Sequence, residues 1–296
     1  MSPDALGVER RDIDLKGASL ALLTSVFWGA NPVVIKIGLA DVPPLRMAVL
    51  RFVVGGLVVL LWGWWTGRLA RLSVAPHEWR PLIVLGVLFG AQIASMNIGT
   101  AMTSAAHSAV LLNLYAVHTV VLAHFMIPGD RLTWRRLFGV LISYAGIVLL
   151  FAGQTGESSL LGDVIMFASA FVLAERTIYL ARAVQDFDPL TLLLSQAIVG
   201  LVIFFVASLA IEPEPTRWTP RLGAVIAYQG VLVAGFNFIV NLWMLRHYRP
   251  SALAAFFLTQ PIFGVIAAAI LAGDRITIDL IVASAAVAVG IGLTTR

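Results

Sequence analysis

Two amide–proline pairs stand inside apolar stretches: Asn31-Pro32, within FWGANPVVIKIG from Phe27 to Gly38, and Gln260-Pro261. Proline has no amide hydrogen, so it leaves the carbonyl one turn earlier without a helical partner, at Trp28 in the first case. The amide side chain beside each proline can bond that freed backbone or a ligand. Pro32 and Pro261 therefore read either as hinges at ligand-facing breaks or as ordinary kinks. Other polar groups lie at similar depth: Asn97, Tyr115, His118 and Asn241. A polar group inside lipid is costly, so it faces a cavity or a partner on another helix. Trp28, Asn31, Asn97, Tyr115, His118, Asn241 and Gln260 are the candidate substrate-binding set, with interhelical bonding as the competing role.

The charged groups sort differently. Lys36 lies about 8 Å beyond Asn31 along a helix; it snorkels to the headgroups or attracts anions at a cavity mouth. Arg51 reads as structural and in need of a polar partner, and Arg176 as a snorkelling group. Glu175 is the sole carboxylate well inside an apolar stretch. Glu175 and Lys36 are the candidate coupling residues, Glu175 as a proton carrier or as the partner of Arg182 or Arg51. His107 and His118, eleven residues apart, share a helix face, yet His107, His118 and His124 are too far apart for a metal site. There is no cysteine, so thiolate chemistry is excluded. No metal or other cofactor is expected.

These groups must be positioned by membrane-spanning helices. Of 296 residues, 59% are hydrophobic and 12% charged, about half the usual charged share of a soluble domain. Mean hydropathy is +0.92. Apolar runs of helix-spanning length follow one another from Gly17 onward, and only self-bonded helices suit them. The expected fold is an all-α integral membrane protein of ten spans, at 17–38, 44–66, 80–101, 104–126, 134–152, 159–184, 188–211, 220–246, 250–271 and 277–295. The polar first residues do not read as a cleaved signal peptide. With the N-terminus inside, Arg10, Arg11, Lys16, Arg68, Arg71, Arg80, Arg131, Arg135, Arg136, Arg182, Arg246, Arg249 and Arg296 are cytoplasmic, against Arg217, Arg221 and Arg275 outside. The positive-inside rule then puts both termini in the cytoplasm. The basic balance reflects membrane orientation, and no nucleic-acid partner is expected.

The chain repeats itself. GDRLTWRRLFGVLISYAGIVLL from Gly129 aligns with GDRITIDLIVASAAVAVGIGL from Gly273 at an offset of 144, which also pairs Asn97 with Asn241 and Gly146 with Gly290. An offset of 145 pairs Gly17 with Gly162 and Pro44-Leu45 with Pro189-Leu190, and sets Asn31 near Arg176 and Arg51 near Gln196. Residues 1–152 and 153–296 are read as two five-span copies. Five is odd, so the second copy is inverted, the mark of transporters that alternate access around a midplane site.

Two tandem copies of a pattern with Trp28, Gly29, Asn31, Lys36, Pro44 and Arg51, followed by Gly129-Asp130 or Gly273-Asp274, resemble the EamA-type repeats of the drug/metabolite transporter superfamily. The resemblance implies a secondary transporter, similar to bacterial inner-membrane exporters of amino acids, aromatic ones included, or of related metabolites. It implies alternating access through a cavity between spans 1, 3, 4, 6, 8 and 9, a small-molecule substrate, a lipid environment, and a unit compatible with a monomer. The competing reading is a multidrug exporter. Relatives that pump lipophilic cations carry a glutamate in their first span, where this chain has no acid and has Lys36. An intramembrane enzyme is disfavoured by the lack of a nucleophile–base pair. A nucleotide-driven pump is excluded by the lack of a phosphate-binding loop.

Overall fold

The computed structural model describes residues 13–72, 74–126, 132–152, 158–248, 253, 256, 257 and 259–294. All regular structure among them is helical. Span 1 is Leu15–Gly38, span 2 Pro44–Trp65, span 3 Trp79–Met102, span 5 Trp134–Ala152, span 6 Leu160–Asp186, span 7 Pro189–Ile211 and span 10 Ile278–Thr294. Span 4 is two helices, Ala105–Asn113 and Tyr115–Met126. Span 8 joins Pro220–Ala227 and Phe238–His247 through a ten-residue π-helix, Tyr228–Asn237. Span 9 is described over Gln260–Ala272, with Ala268–Ala272 again π-wound; the start expected for it at 250 lies outside the described residues.

Starts are set by local chemistry. Asp14 accepts from the Gly17 amide, and its repeat counterpart Ser159 accepts from Gly162, each satisfying an orphan amide of the first turn. Pro44 and Pro189 begin spans 2 and 7, where a missing amide costs nothing.

Only one of the two proline pairs stands at a helix boundary, Gln260-Pro261. Span 1 is continuous through Asn31-Pro32. One lost backbone bond is tolerated in a membrane helix when neighbours engage the surrounding carbonyls. Span 8 does this: Tyr228 Oη donates to Phe27 O at 2.8 Å, Gln229 Nε2 to Asn31 O at 3.1 Å and Asn237 Nδ2 to Thr24 O at 3.1 Å. In the first copy the break falls at Leu114 in span 4. At the offset of 144, its counterpart is residue 258, just before Thr259 and the Gln260-Pro261 helix start.

Packing repeats with the sequence. Span 2 packs on span 7, span 4 on span 9 and span 5 on span 10, and each pair joins the same element of the two copies. Contacts of spans 3 with 7 and 3 with 6 recur as 8 with 2 and 8 with 1. That is the contact pattern of a pseudo-two-fold axis. It persists to single residues. Gly86 and Gly90 approach Val199 and Ile203; Gly230 and Gly235 approach the counterparts Val54 and Val58. Gly86 and Gly90 are four apart on an α-helix, whereas Gly230 and Gly235 are five apart because span 8 is π-wound there, with one more residue per turn. Small residues of this kind let backbones meet where lipid supplies no hydrophobic drive. Trp64, Trp65, Trp134 and Trp218 stay exposed near span ends, as an interfacial aromatic belt requires. Below, the near face is the one holding the start of span 1 and the far face is its opposite.

Candidate substrate site between the two repeats

A small cavity of about 30 Å³ lies where the two copies meet, walled by Phe52 and Gly55 of span 2, Phe89 of span 3, Arg176 of span 6, Gln196 of span 7 and Phe238 of span 8. Its volume suits roughly two waters, too little for a substrate molecule. None of its described wall residues comes from spans 1, 4 or 9, where the wall was expected, and spans 2 and 7 take that place. The reason is the two-fold: Gly55 and its counterpart Gly200 lie on spans 2 and 7, which meet across the axis, and bring Ala234 and Phe89 close to the backbone.

Arg176 does not snorkel. It is 6% exposed, its Nε donates to Gln196 Oε1 at 2.8 Å, and its guanidinium lies 4.7 Å from the Phe89 ring centre. Gln196 is fixed in turn by its own Nε2, which donates to Leu192 O at 2.8 Å. Arg51 is 2% exposed and lies 4.8 Å from the Phe52 ring centre. The expectation of a polar partner for it fails: among the described residues Arg51 has no hydrogen bond or ion pair, and its Nε and Nη1 are buried. Phe52 meets Phe89 edge-on at 4.8 Å and stacks with Phe204 at 5.8 Å. Arg51 and Gln196 each stand seven residues into a span that starts at proline, from opposite faces. They lie about 10 Å deep on either side.

The candidate residues fall into separate places. Gly29 abuts the Gln260 carbonyl and Gly264 abuts the Gly29 carbonyl, which brings Asn31, Pro32, Gln260 and Pro261 to one crossing of spans 1 and 9. Asn31 Oδ1 and Gln260 Nε2 are buried there without partners among the described residues, as is Asn241 Oδ1 in span 8. Trp28 packs edge-on to Phe257 and to Phe238, at 5.9 and 6.2 Å; Phe238 in turn walls the cavity. Asn97 is elsewhere, donating to Pro44 O at 2.8 Å and tying span 3 to the start of span 2. His118 is enclosed by Phe167, Phe171 and Tyr144 at 4.9, 5.5 and 5.8 Å. Tyr115 follows the Leu114 break and is half-buried. Glu175 is half-buried, and the ion pair considered for it with Arg182 or Arg51 is not formed: Arg182 donates to Met126 O instead. Lys36 Nζ reaches Ala101 O at 3.1 Å.

Carboxylates that the sequence reading left aside fasten the far face. Glu212 accepts from Leu45 N at 2.6 Å and Arg46 N at 2.9 Å, capping span 2 from the end of span 7. Asp41 accepts from Arg221 Nε and Nη2 and from Thr219, all at 2.8 Å; the Arg221 bonds, helped by Thr219, hold its carboxyl down to about 2. Asp163 is fully buried with Thr103 and His107, the latter at 3.0 Å, and Asp274 caps Ala106 N at 2.8 Å. No cluster of three His, Cys, Asp or Glu fit for a metal exists among the described residues. For Arg51 and Arg176 the sequence did hold a signal. At both aligned positions one copy has arginine where the other has an amide.

The pattern of the EamA-like transporter family matches residues 15–152 and again 160–296. A probable amino-acid metabolite efflux pump of Escherichia coli K12 is 27% identical over 284 residues, covering 88% of this chain and 89% of that protein. An uncharacterized transporter of Archaeoglobus fulgidus is 26% identical, covering 83% and 86%. The uncharacterized inner membrane transporter YedA of Escherichia coli K12 is 24% identical, covering 90% and 86%. A solved crystal structure with 18% identity superposes with a TM-score of 0.66, covering 94% of this chain and 97% of that one; it shares the fold.

Proposed function

We propose, from the premise that this chain belongs to the EamA-like transporter family, that it is a secondary transporter exporting amino acids or similar small metabolites across a bacterial inner membrane by alternating access. It is a multi-pass membrane transporter; substrate, direction and mechanism are the proposal. The observation that carries it is the small cavity between the repeats, to which both copies contribute walls. A site at the repeat interface is what an inverted repeat can present to either face. The efflux pump similar to it supports the metabolite class, and orientation follows from the arginine distribution, with the near face cytoplasmic. Among the described residues no carboxylate lines the cavity, which weighs against a lipophilic cation as cargo. Glu175, free of ion pairs among the described residues, is the proposed proton carrier.

Counterflow into proteoliposomes tests this, run across the twenty amino acids with sugars, nucleotides and lipophilic cations as comparators. Saturable exchange of one or more amino acids or metabolites is expected. Exchange of lipophilic cations alone replaces the proposal with a drug exporter, and exchange of nothing overturns it. Glu175→Gln should lose the response to a pH gradient while keeping exchange at equal pH. A wild type that ignores the gradient removes Glu175 from the mechanism.

A further inference from the structure

We infer that Arg51 and Arg176 form an anion-binding centre that takes the carboxylate of an organic acid with an apolar or aromatic body. This rests on the transporter reading and deepens it. Both guanidinium groups are at least nine-tenths buried, and they come from equivalent halves of the fold, Arg51 in span 2 and Arg176 in span 6. They are brought together by their rings: Arg51 lies on Phe52, Arg176 on Phe89, and those two rings meet at 4.8 Å. Neither has a carboxylate partner among the described residues, and the Arg176 neighbour Glu175 bonds to neither. Two buried like charges without a counterion are an expensive arrangement. Ring faces and the one Gln196 bond are all that meet them among the described residues, and Arg51 Nε and Nη1 have no acceptor there.

The arrangement around them selects the ligand. Arginine presents a planar fork that suits carboxylate or phosphate. Gln196 holds Arg176 through Nε only, which leaves the terminal nitrogens of its fork available. The surroundings are rings: Phe52 and Phe89 carry the two guanidiniums on their faces, Phe204 stacks behind, and Phe238 and glycines complete the wall. Such walls suit the body of an apolar acid better than a hydrated phosphate or a sugar. With room for roughly two waters, the cavity beside Arg176 accommodates a carboxylate group; the rest of the ligand needs spans 2 and 7 or 3 and 8 to part.

The test uses purified full-length protein and its thermal unfolding, with 3-phenylpropionate, its amide, L-phenylalanine, phosphate and chloride as probes. Saturable stabilisation by at least one of the two carboxylates, with the neutral amide at least about tenfold weaker, is expected from the loss of a charge-assisted bond. Arg51→Gln and Arg176→Gln should each abolish the shift. Arg51→Gln should not lower the ligand-free melting temperature, because it removes a buried charge without a counterion or hydrogen bond, whose desolvation outweighs its contact with the Phe52 ring; a purely structural arginine would lower it by several degrees. Equal stabilisation by acid and amide overturns the inference, as does stabilisation by phosphate or chloride with no response to either carboxylate, or no response to any probe. The acid–amide comparison needs no variant, so a misfolded mutant does not decide it. Counterflow separates the two levels: exchange that persists unchanged in Arg51→Gln and Arg176→Gln refutes the anion centre and leaves the transporter standing.

Discussion

Arg176 donates to Gln196 at 2.8 Å, and the counterpart residues Asn31 and Arg51 in the first copy form no such bond. The inverted repeat thus preserves the positions and breaks the chemistry. Gln196→Met should leave Arg176 Nε buried and unbonded, a loss of about 1.5–3 kcal/mol for a bond to a charged group. A melting temperature unchanged from wild type would show that the bond contributes nothing.

The crossing of spans 5 and 10 should be intolerant of size. A Cβ at Gly290 would lie 1.8 Å from Ser143 Oγ and 2.5 Å from Gly139 O, and one at the counterpart Gly146 would lie 2.6 Å from Ala286 Cβ. Overpacking of this order costs about 1–3 kcal/mol or more. Gly290→Ala should therefore reduce monodisperse yield and melting temperature, while Gly223→Ala, with open space around it, should not. Equal behaviour of the two variants would contradict the crossing.

Asp41 supplies a pH prediction with a definite sign. Its carboxyl is lowered from 3.8 to about 2 by the Arg221 bonds. A depressed carboxylate contributes stability that is complete above its unfolded value and lost as pH falls through its folded one. The window is therefore about pH 4 down to 2. Asp41→Asn should melt below wild type at pH 7, with the gap closing below pH 4. Between pH 5 and 8 the two proteins should show parallel transport–pH profiles. A divergence there would mean that Asp41 titrates in that range.

Topology is open to labelling because the chain has no cysteine. Glu214→Cys, in the exposed far-face loop, should react with an impermeant maleimide in intact cells, and Ala70→Cys should react only after lysis. The reverse pattern would place the near face outside.

Much of the architecture was legible because membranes impose lengths and the duplication imposes order. Spans 1, 2, 3 and 7 begin and end within about two residues of expectation. The π-helix of span 8 was not legible. Nothing in YQGVLVAGFN marks a widened turn until its glycines are set against those of span 3. The site was harder for a different reason. A proline pair announces itself by type, so attention went to Asn31-Pro32, which lies in a continuous helix. Arg51 and Arg176 are ordinary by type; the arginine–amide exchange between the copies marks their positions, but their inward direction is a tertiary property. The far-face acids were missed likewise. Glu212 caps a helix 167 residues away, a pairing that no local pattern encodes.

The π-wound stretch Tyr228–Asn237 has no equivalent in span 3, where the matching residues 84–93 are regular α-helix. One extra residue per turn is a stored twist. If that stretch rewinds as α-helix while the cavity opens, everything beyond it turns by about 100° per residue released. Asn237 would then leave the Thr24 carbonyl, and Asn241 would sweep to a new wall, with the axis of span 8 hardly displaced. The motion is that of a screw, and its handle is the same segment that grips the span 1 backbone at Phe27 and Asn31. Amide hydrogen exchange in 228–237 that quickens with transported substrate, against steady exchange in 84–93, is the expected signature; identical exchange with and without substrate would show the twist to be static.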